Sequence, residues 1–391
     1  MNINSVSNEK CVGCGICSSV CPTHAIVVTL DKDGFLSPIL DKEKCIDCSK
    51  CVKYCLKYNS VNTGLLNESS LYYGFAKDDA IRDRSSSGGI GYVLSCWAYD
   101  KGYDVWGVIY DKKTNTARHI KAQSREELEL FQGSKYIQSD MHDLNEYLVA
   151  YSGEKALIFG TPCQIEAIRL KAKYFEKHNL LLVDVFCRGV PTYHLWNNYL
   201  KDFLGFRQPQ KVSFREKKYG WHKCQMIIED SMHIYTQPAS NDMYYKLYGS
   251  ALCFRDSCYN CDRKLNKVFS DIRIGDFWGD RFLADEKGVS LIFGVTSKGK
   301  EILNELNNVI ELSQDVIFRD VEVAQKYIYN VYNKTKIKKM RRALNDNTPL
   351  QKVYDSIVRP PYFYRLLVAI YQLIPRNIQI KLKSCLKNEK N

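Results

Sequence analysis

The chain has 391 residues, of which 45% are hydrophobic and 26% charged, with a formal net charge of +12. This is the composition of a globular protein with two or three domains. Its polar start and short apolar runs exclude a signal peptide and a membrane span, so we expect a cytoplasmic protein. Sixteen cysteines in that compartment indicate metal or redox chemistry and argue against disulfides.

The N-terminal segment repeats one cysteine pattern. The spacing C-x2-C-x2-C-x3-C occurs at Cys11, Cys14, Cys17 and Cys21, and again at Cys45, Cys48, Cys51 and Cys55. In bacterial ferredoxins such a run gives three thiolates to one cubane, and its fourth cysteine binds the other cluster. We therefore predict two 4Fe–4S clusters. One takes Cys11, Cys14, Cys17 and Cys55, and the other takes Cys21, Cys45, Cys48 and Cys51. Zinc is disfavoured because its sites pair two C-x2-C knuckles.

The ferredoxin-like context extends beyond the cysteines. Pro22 follows Cys21, the short apolar run after it predicts a strand, and Asp33-Gly34 predicts a turn to a second strand. Leu56 follows Cys55, where proline is usual. The expected role of this module is the transfer of single electrons. Bound clusters would offset part of the net charge, and the remaining positive charge suits an acidic partner, a phosphorylated substrate, a membrane surface or a solvated lysine-rich surface.

From about Leu71, buried strands alternate with helices. The predicted strands are DVWGVIYD, KALIFG, LLLVDVF, DIRIGDF and SLIFGVT. Helical stretches follow KALIFG and SLIFGVT, which predicts an α/β domain. The segment from Lys211 to Gln237 predicts an antiparallel insertion, and the chain beyond about Ala324 is basic and helical.

Further cysteines fall where strands end. Cys163 follows a strand and begins a helix, so it is a cluster ligand, a catalytic thiol or a buried small residue. Cys187 ends the next strand, and neighbouring parallel strands would bring both thiols to one sheet edge. Cys258 and Cys261 add a C-x2-C knuckle, and we prefer a third 4Fe–4S cluster on these four cysteines. We interpret Cys96, Cys224, Cys253 and Cys385 as structural.

Two loops contain residues with less specific signals. In Ser85-Ser86-Ser87-Gly88-Gly89, small side chains before a helix allow backbone N–H groups to approach a phosphate or a flavin, although such loops are often only structural. The dinucleotide motif G-x-G-x-x-G is absent. In the segment from Phe269 to Gly279, Asp276 and Trp278 either line a pocket or form a tight turn with the tryptophan in the core.

The motif series SSSGG, GSKYIQS, GTPCQ, DVFCRGVP, FREKKYGW, SCYNC and DIRIGDFWG resembles the beta subunits of the deazaflavin-coenzyme (F-420) hydrogenase/dehydrogenase family. This resemblance covers the chain from Leu71 to about Leu306. One departure is Arg188, which stands where the family has histidine. The resemblance implies an oxidoreductase with FAD and an additional cluster. It carries the cluster ligands over to Cys163, Cys187, Cys258 and Cys261.

The resemblance also implies the residues that contact the flavin. They are Ser86, Ser87, Gly88, Gly89, Gly133, Ser134 and Lys135, and we add Thr161 as a residue that contacts a cofactor. A flavin accepts electrons singly or in pairs, so it would join one-electron clusters to a two-electron substrate or a deazaflavin coenzyme.

The fold expected is an α+β ferredoxin-like domain over residues 1–64, an α/β catalytic domain with an antiparallel β insertion over 65–325, and a helical basic C-terminal region over 326–391. We expect a redox partner protein or soluble ferredoxin as partner, and no nucleic acid. The basic residues of the C-terminal region are Lys334, Lys336, Lys338, Lys339, Arg341 and Arg342. They form either a peripheral membrane contact or a solvated helix face.

Two other functions remain open. The first is an electron-transfer subunit with no substrate site of its own, which serves a partner enzyme, for example in polysaccharide or envelope biosynthesis. The second is an assembly or scaffold protein whose clusters are structural.

Overall fold

The structure is a computed structural model that describes residues 2–3, 10–62, 64–150, 153–174, 179–205, 208–265, 267–326 and 332–360. Within these ranges no helix is long and apolar enough to cross a membrane. Cys385 and the end of the basic region lie outside the described residues.

The helices and strands follow in chain order. The helices are α1 Ile16–Ser19, α2 Lys50–Lys53, α3 Asp79–Arg84, α4 Ile90–Asp100, α5 His142–Ala150, α6 Pro162–Tyr174, α7 Tyr193–Asn198, α8 Met243–Gly249, α9 Ser297–Glu305, α10 Phe318–Ala324, α11 Lys334–Asn345 and α12 Leu350–Val353. The strands are β1 Ile26–Leu30, β2 Leu36–Leu40, β3 Gly64–Leu65, β4 Ser70–Ala76, β5 Asp104–Asp111, β6 Thr116–Lys121, β7 Ser139–Asp140, β8 Ala156–Gly160, β9 Leu180–Val185, β10 Lys211–Glu216, β11 Gln225–Glu229, β12 Ile234–Pro238, β13 Lys267–Val268, β14 Ile272–Asp276, β15 Ser290–Gly294 and β16 Ile310–Ser313.

A nine-stranded sheet forms the centre of the larger domain, in the order β16-β4-β15-β14-β9-β8-β5-β6-β7. The central run β14-β9-β8-β5 is parallel, whereas β15, β4 and β16 pair antiparallel. All five strands predicted from the apolar runs are present, which confirms a domain that mixes helices and strands. The sheet is mixed, with more antiparallel pairing than alternation of strands and helices alone predicts.

Both faces of this sheet are covered. Along the parallel strands, alternate residues such as Leu157 and Ile158 enter different hydrophobic clusters. Leu157 packs with residues of α4 and α9, and Ile158 packs with residues of α5 and α6. Burial on both faces explains why these strands are continuous apolar runs.

The N-terminal module contains the predicted hairpin. Strands β1 and β2 pair antiparallel from Ile26↔Leu40 to Leu30↔Leu36, and Gly34 in the turn has a φ of +75°. Helix α1 then packs on α6 through a small apolar cluster of Ile16, Val20 and Ala167. The module is therefore joined to the larger domain by buried surface as well as by the chain.

The segments flanking the large sheet also follow the sequence pattern. The predicted insertion forms a three-stranded antiparallel sheet in the order β10-β11-β12. Helix α11 buries Ile337, Met340 and Leu344 in the core beside it. Of the basic residues in α11, Arg341 is partly buried and forms an ion pair with Asp256, while the others are exposed. The membrane contact stays a prediction for those exposed residues.

Candidate functional site

The two cysteine repeats have the same local backbone. Gly13 and Gly15 have φ angles of +69° and +73°, and Asp47 and Ser49, at the corresponding positions of the second repeat, have +48° and +61°. Each left-handed residue turns the chain between two cysteines, and α1 and α2 begin directly after the second of them. The duplication read from the spacing is thus also a duplication of structure.

The first group of thiols is Cys11, Cys14, Cys17 and Cys55, which we call the inner set. Burial raises the pKa of the Cys17 thiol, and the nearby thiols of the other three members raise it further. Cys55, from the second repeat, therefore lies beside the three cysteines of the first. The structure brings together the four residues that the interlocked pattern predicts.

The second group is Cys21, Cys45, Cys48 and Cys51, which we call the outer set. These four residues line one cleft of about 310 Å³. Cys48 is exposed, and the neighbouring Ile46 is 64% exposed. The outer set consequently reaches the surface of the protein.

A third set consists of Cys163, Cys187, Cys258 and Cys261. Strands β8 and β9 are parallel neighbours, with Gly160 opposite Asp184, so the residues that follow them meet at one sheet edge. All four cysteines line one cleft of about 490 Å³. Burial raises the pKa of the Cys163 thiol to about 12, and the thiols of Cys261 and Cys258 raise it further. The pKa of Cys187 is raised by the same causes.

The inner and third sets lie next to each other. The Cys14 thiol has its pKa raised to about 12, chiefly by burial, and Cys163 is among the thiols that raise it. Asn145 fixes this junction, because its side-chain amide donates a 2.8 Å hydrogen bond to the carbonyl of Cys14. Lys171 donates a 3.0 Å hydrogen bond to the hydroxyl of Ser19.

The donor sets fit iron–sulfur clusters better than single metal ions. Among the described residues, no three His, Cys, Asp or Glu side chains are arranged to hold one ion. Four thiols spread around a cleft suit a cubane, whose irons each take one thiolate. Buried thiols with raised pKa values stay protonated until a cation replaces their protons. The clusters themselves stay a prediction.

The two predicted flavin loops are in contact. The Ser86 hydroxyl accepts a 2.8 Å hydrogen bond from the backbone N–H of Ser134. The backbone N–H of Gly88 donates to the Ser290 hydroxyl over 3.0 Å, so the loop is bound to β15. Gly89, with a φ of +85°, caps helix α4. Gly133, next to Ser134, lies at the surface, partly exposed.

Two further predicted residues have other contacts. The Lys135 ammonium donates to the carbonyls of Leu130 and Gln132 over 3.0 and 2.8 Å, and burial lowers its pKa to about 7. Lys135 therefore holds its own loop. The Thr161 hydroxyl lies 3.3 Å from the Cys163 sulfur. Thr161 thus belongs to the third set and not to the flavin loops.

Lys217 is a buried residue that sequence reasoning missed. Its ammonium donates to the carbonyls of Arg82, Ser87 and Lys287, at 2.6 and 3.0 Å for the first two. Burial and the charge of Arg215 lower its pKa to about 8. The antiparallel insertion therefore supports the serine–glycine loop from behind. Lys217 adjoins an exposed lysine in the sequence and gave no signal there.

Asp276 and the tryptophans have structural partners. Arg215 binds both oxygens of Asp276, and the indole N–H of Trp221 donates to the same carboxylate over 3.0 Å. Trp221 is fully buried and stacks on Trp278, with ring centroids 4.6 Å apart. This is the core interpretation of the aromatic loop.

The fold and the thiols define a class of protein in which a duplicated ferredoxin module is joined to a mixed α/β domain with its own cysteine group. Residues 10–58 match the model of the 4Fe-4S dicluster domain. Residues 153–316 belong to the family formed by the C-terminal part of the coenzyme F420 hydrogenase/dehydrogenase beta subunit. Both matches confirm the resemblance drawn from the motifs.

Individual proteins show the same two components. The chain is 23% identical to the Coenzyme F420-dependent sulfite reductase of Methanocaldococcus jannaschii over 329 residues, which are 81% of this chain and 48% of that protein. It is 49% identical over 47 residues to the B component of the Na(+)-translocating ferredoxin:NAD(+) oxidoreductase complex of Acetobacterium woodii, covering 12% of this chain and 13% of that protein. The chain thus spans about half the length of the first relative.

A solved structure is also similar. It is a chain of the F420-reducing NiFe hydrogenase complex from Methanosarcina barkeri, with 17% sequence identity and a TM-score of 0.49. The match covers 75% of this chain and 96% of that one.

Proposed function

We propose that this protein is an iron–sulfur flavoprotein oxidoreductase that passes electrons between a redox partner protein, three 4Fe–4S clusters, FAD and a two-electron substrate. The observation that carries the proposal is the order of the thiol sets. The outer set reaches the surface, the inner set lies beside it in the same module, and Cys14 of the inner set adjoins Cys163 of the third. Such a series suits the entry or exit of single electrons.

The flavin part of the proposal rests on the family resemblance and on the two loops in contact at Ser86 and Ser134. Backbone N–H groups ahead of helix α4 suit a phosphate group of FAD. When bound, a flavin exchanges electrons singly with clusters and in pairs with a substrate. The residues of this chain would bind and orient it, with Lys217 holding the loop from behind.

The two-electron partner is proposed from the relatives. The names of the family and of the sulfite reductase contain coenzyme F420, so a deazaflavin coenzyme is the first candidate. Electron donor, direction of flow and substrate are separate questions, and each is open to a titration of the bound flavin.

Cofactor content tests the proposal directly. Protein purified without oxygen should contain about twelve irons, as three 4Fe–4S clusters require. It should also contain one flavin per chain, measured by absorbance after extraction. About eight irons would reject the third cluster, and iron at the full level with no flavin would reject the flavoprotein alone.

The alternative is an electron-transfer subunit that serves a separate catalytic partner. The family description favours it, because it names a beta subunit. The two functions differ in what the isolated chain does. Reduction of a deazaflavin coenzyme by the isolated, chemically reduced protein would exclude the alternative, whereas full reduction of its clusters with no transfer to any soluble acceptor would favour it.

A further inference from the structure

Arg255 is the buried charge at the junction between the ferredoxin module and the α/β domain. Its side chain is 3% exposed and lines the cleft of the third set. Across the junction, its guanidinium donates to the carbonyl of Cys11 over 3.2 Å, to the carbonyl of Leu36, and to the hydroxyl of Ser37 over 3.3 Å. The residue thus joins the two domains beside both the inner and the third sets.

No carboxylate of the described residues pairs with this guanidinium, and its Nε has no hydrogen-bond partner among them. The other buried arginines in the described part of the chain differ in this respect. Each of them pairs with an aspartate: Arg82 with Asp285, Arg215 with Asp276 and Arg273 with Asp184.

An unpaired buried charge is costly, and arginine stays protonated in proteins. The carbonyls it binds satisfy hydrogen bonds but carry no net charge. Some anion must therefore offset the guanidinium when the protein is complete. An oxidised 4Fe–4S cluster with four thiolates has a formal charge of about −2, and two such groups are predicted on either side of this residue.

We propose that Arg255 is the shared counter-ion of the inner and third clusters and raises the reduction potential of both. This inference rests on the proposed function. Reduction adds one electron to a cluster and makes it more negative, so a fixed positive charge nearby favours the reduced form. In a water-poor junction that effect is stronger than at the surface. Arg255 acts as a positioning and tuning residue, and it touches the module through the backbone of a ligand cysteine.

The outer cluster is an internal reference for this effect. Arg255 contacts Cys11 of the inner set and lines the cleft with the third set, while the cleft of the outer set has a different lining. Removal of the charge should consequently shift two of the three potentials. A general loosening of the protein would not select those two.

The test is a redox titration of the anaerobic full-length protein, followed by electron paramagnetic resonance, for Arg255→Gln and Arg255→Lys. We expect Arg255→Gln to shift the inner and third clusters to more negative potentials and to leave the outer cluster unchanged. Arg255→Lys keeps the charge and should restore both potentials toward the wild-type values. Iron content, measured alongside, shows that each variant still holds its clusters.

Two further variants separate charge from docking. Gln138→Leu removes a 3.2 Å hydrogen bond to the carbonyl of Val12, at the same junction, without a change in charge. Arg342→Gln removes a guanidinium whose side chain is 86% exposed. Neither should shift the potentials as Arg255→Gln does.

The inference is overturned if Arg255→Gln leaves all potentials unchanged at full iron content, or if Arg255→Lys and Gln138→Leu shift them equally. Failure of the proposed function has a different signature. In that case the wild-type protein itself would lack the resonance of a third cluster.

Discussion

Asp184 and Arg273 form an ion pair in the middle of the large sheet. Both side chains are 0% exposed, and the guanidinium binds the two carboxylate oxygens over 2.7 Å each. Asp184 lies near the end of β9, shortly before Cys187, and Arg273 lies on the neighbouring β14, shortly before Asp276. The pair therefore fixes the sheet edge at which the third set forms.

Asp184→Asn should lower the free energy of unfolding by about 3–5 kcal/mol, because it leaves a buried guanidinium without its counter-charge. Denaturant unfolding of the variant and the wild type would measure the loss. Asp346→Asn, which breaks an exposed pair with Arg342, is the control and should cost less than about 1 kcal/mol. Equal losses in the two variants would contradict this account of the pair.

The third set can be tested one residue at a time. Cys187→Ser should reduce the iron content from about twelve to about eight per chain, since it removes one ligand of one cluster. The control is Cys96→Ser, which changes a cysteine outside all three sets and should leave the iron content unchanged. Retention of a third cluster in Cys187→Ser would show that another ligand, such as Cys253, takes its place.

At the scale of elements, the support of the serine–glycine loop comes from the antiparallel insertion. Lys217, just after β10, donates to the carbonyl of Ser87. Lys217→Met should weaken flavin binding and leave the iron content unchanged. The neighbouring Lys218 is exposed, so Lys218→Met is a matched control. Equal flavin affinity in both variants, measured by fluorescence titration of the flavin-free protein, would assign Lys217 to stability alone.

The elements differ in how far the sequence predicts them. Apolar runs predict β5, β8, β9, β14 and β15 because both faces of these strands are buried. The antiparallel pairing of β15 with β14 and β4 has no local signal, because strand order depends on contacts between distant segments.

The same contrast holds for the site. The cysteine spacing predicts which thiols meet, since their loops are short and repeated. The partners of Arg255 and Lys217 lie far away in sequence, at Cys11 and at Ser87. Their roles are therefore invisible without the fold.

At the scale of the whole molecule, the arrangement gives electrons one route between the surface and the third set. Cys45→Ser combined with Cys48→Ser removes two ligands of the outer cluster on its exposed side. This variant should lose rapid reduction by a protein donor such as ferredoxin, because the remaining clusters are buried. Reduction of the third cluster by a small dye should persist. Stopped-flow absorbance with each donor would measure both, and unchanged reduction by the protein donor would mean that electrons enter elsewhere.

The two repeats of the module have the same backbone but different side chains, and their surroundings explain why. A Cβ atom at Gly13 would lie 2.4 Å from the Gln138 amide and 2.6 Å from the Leu36 carbonyl, whereas Asp47 and Ser49 hold the equivalent conformations with side chains in place. Contact with the larger domain thus prohibits in one repeat what solvent permits in the other. A symmetric ancestor has acquired polarity: one half of the module is bound to its fixed neighbour, and the other half is free to evolve toward changing partners.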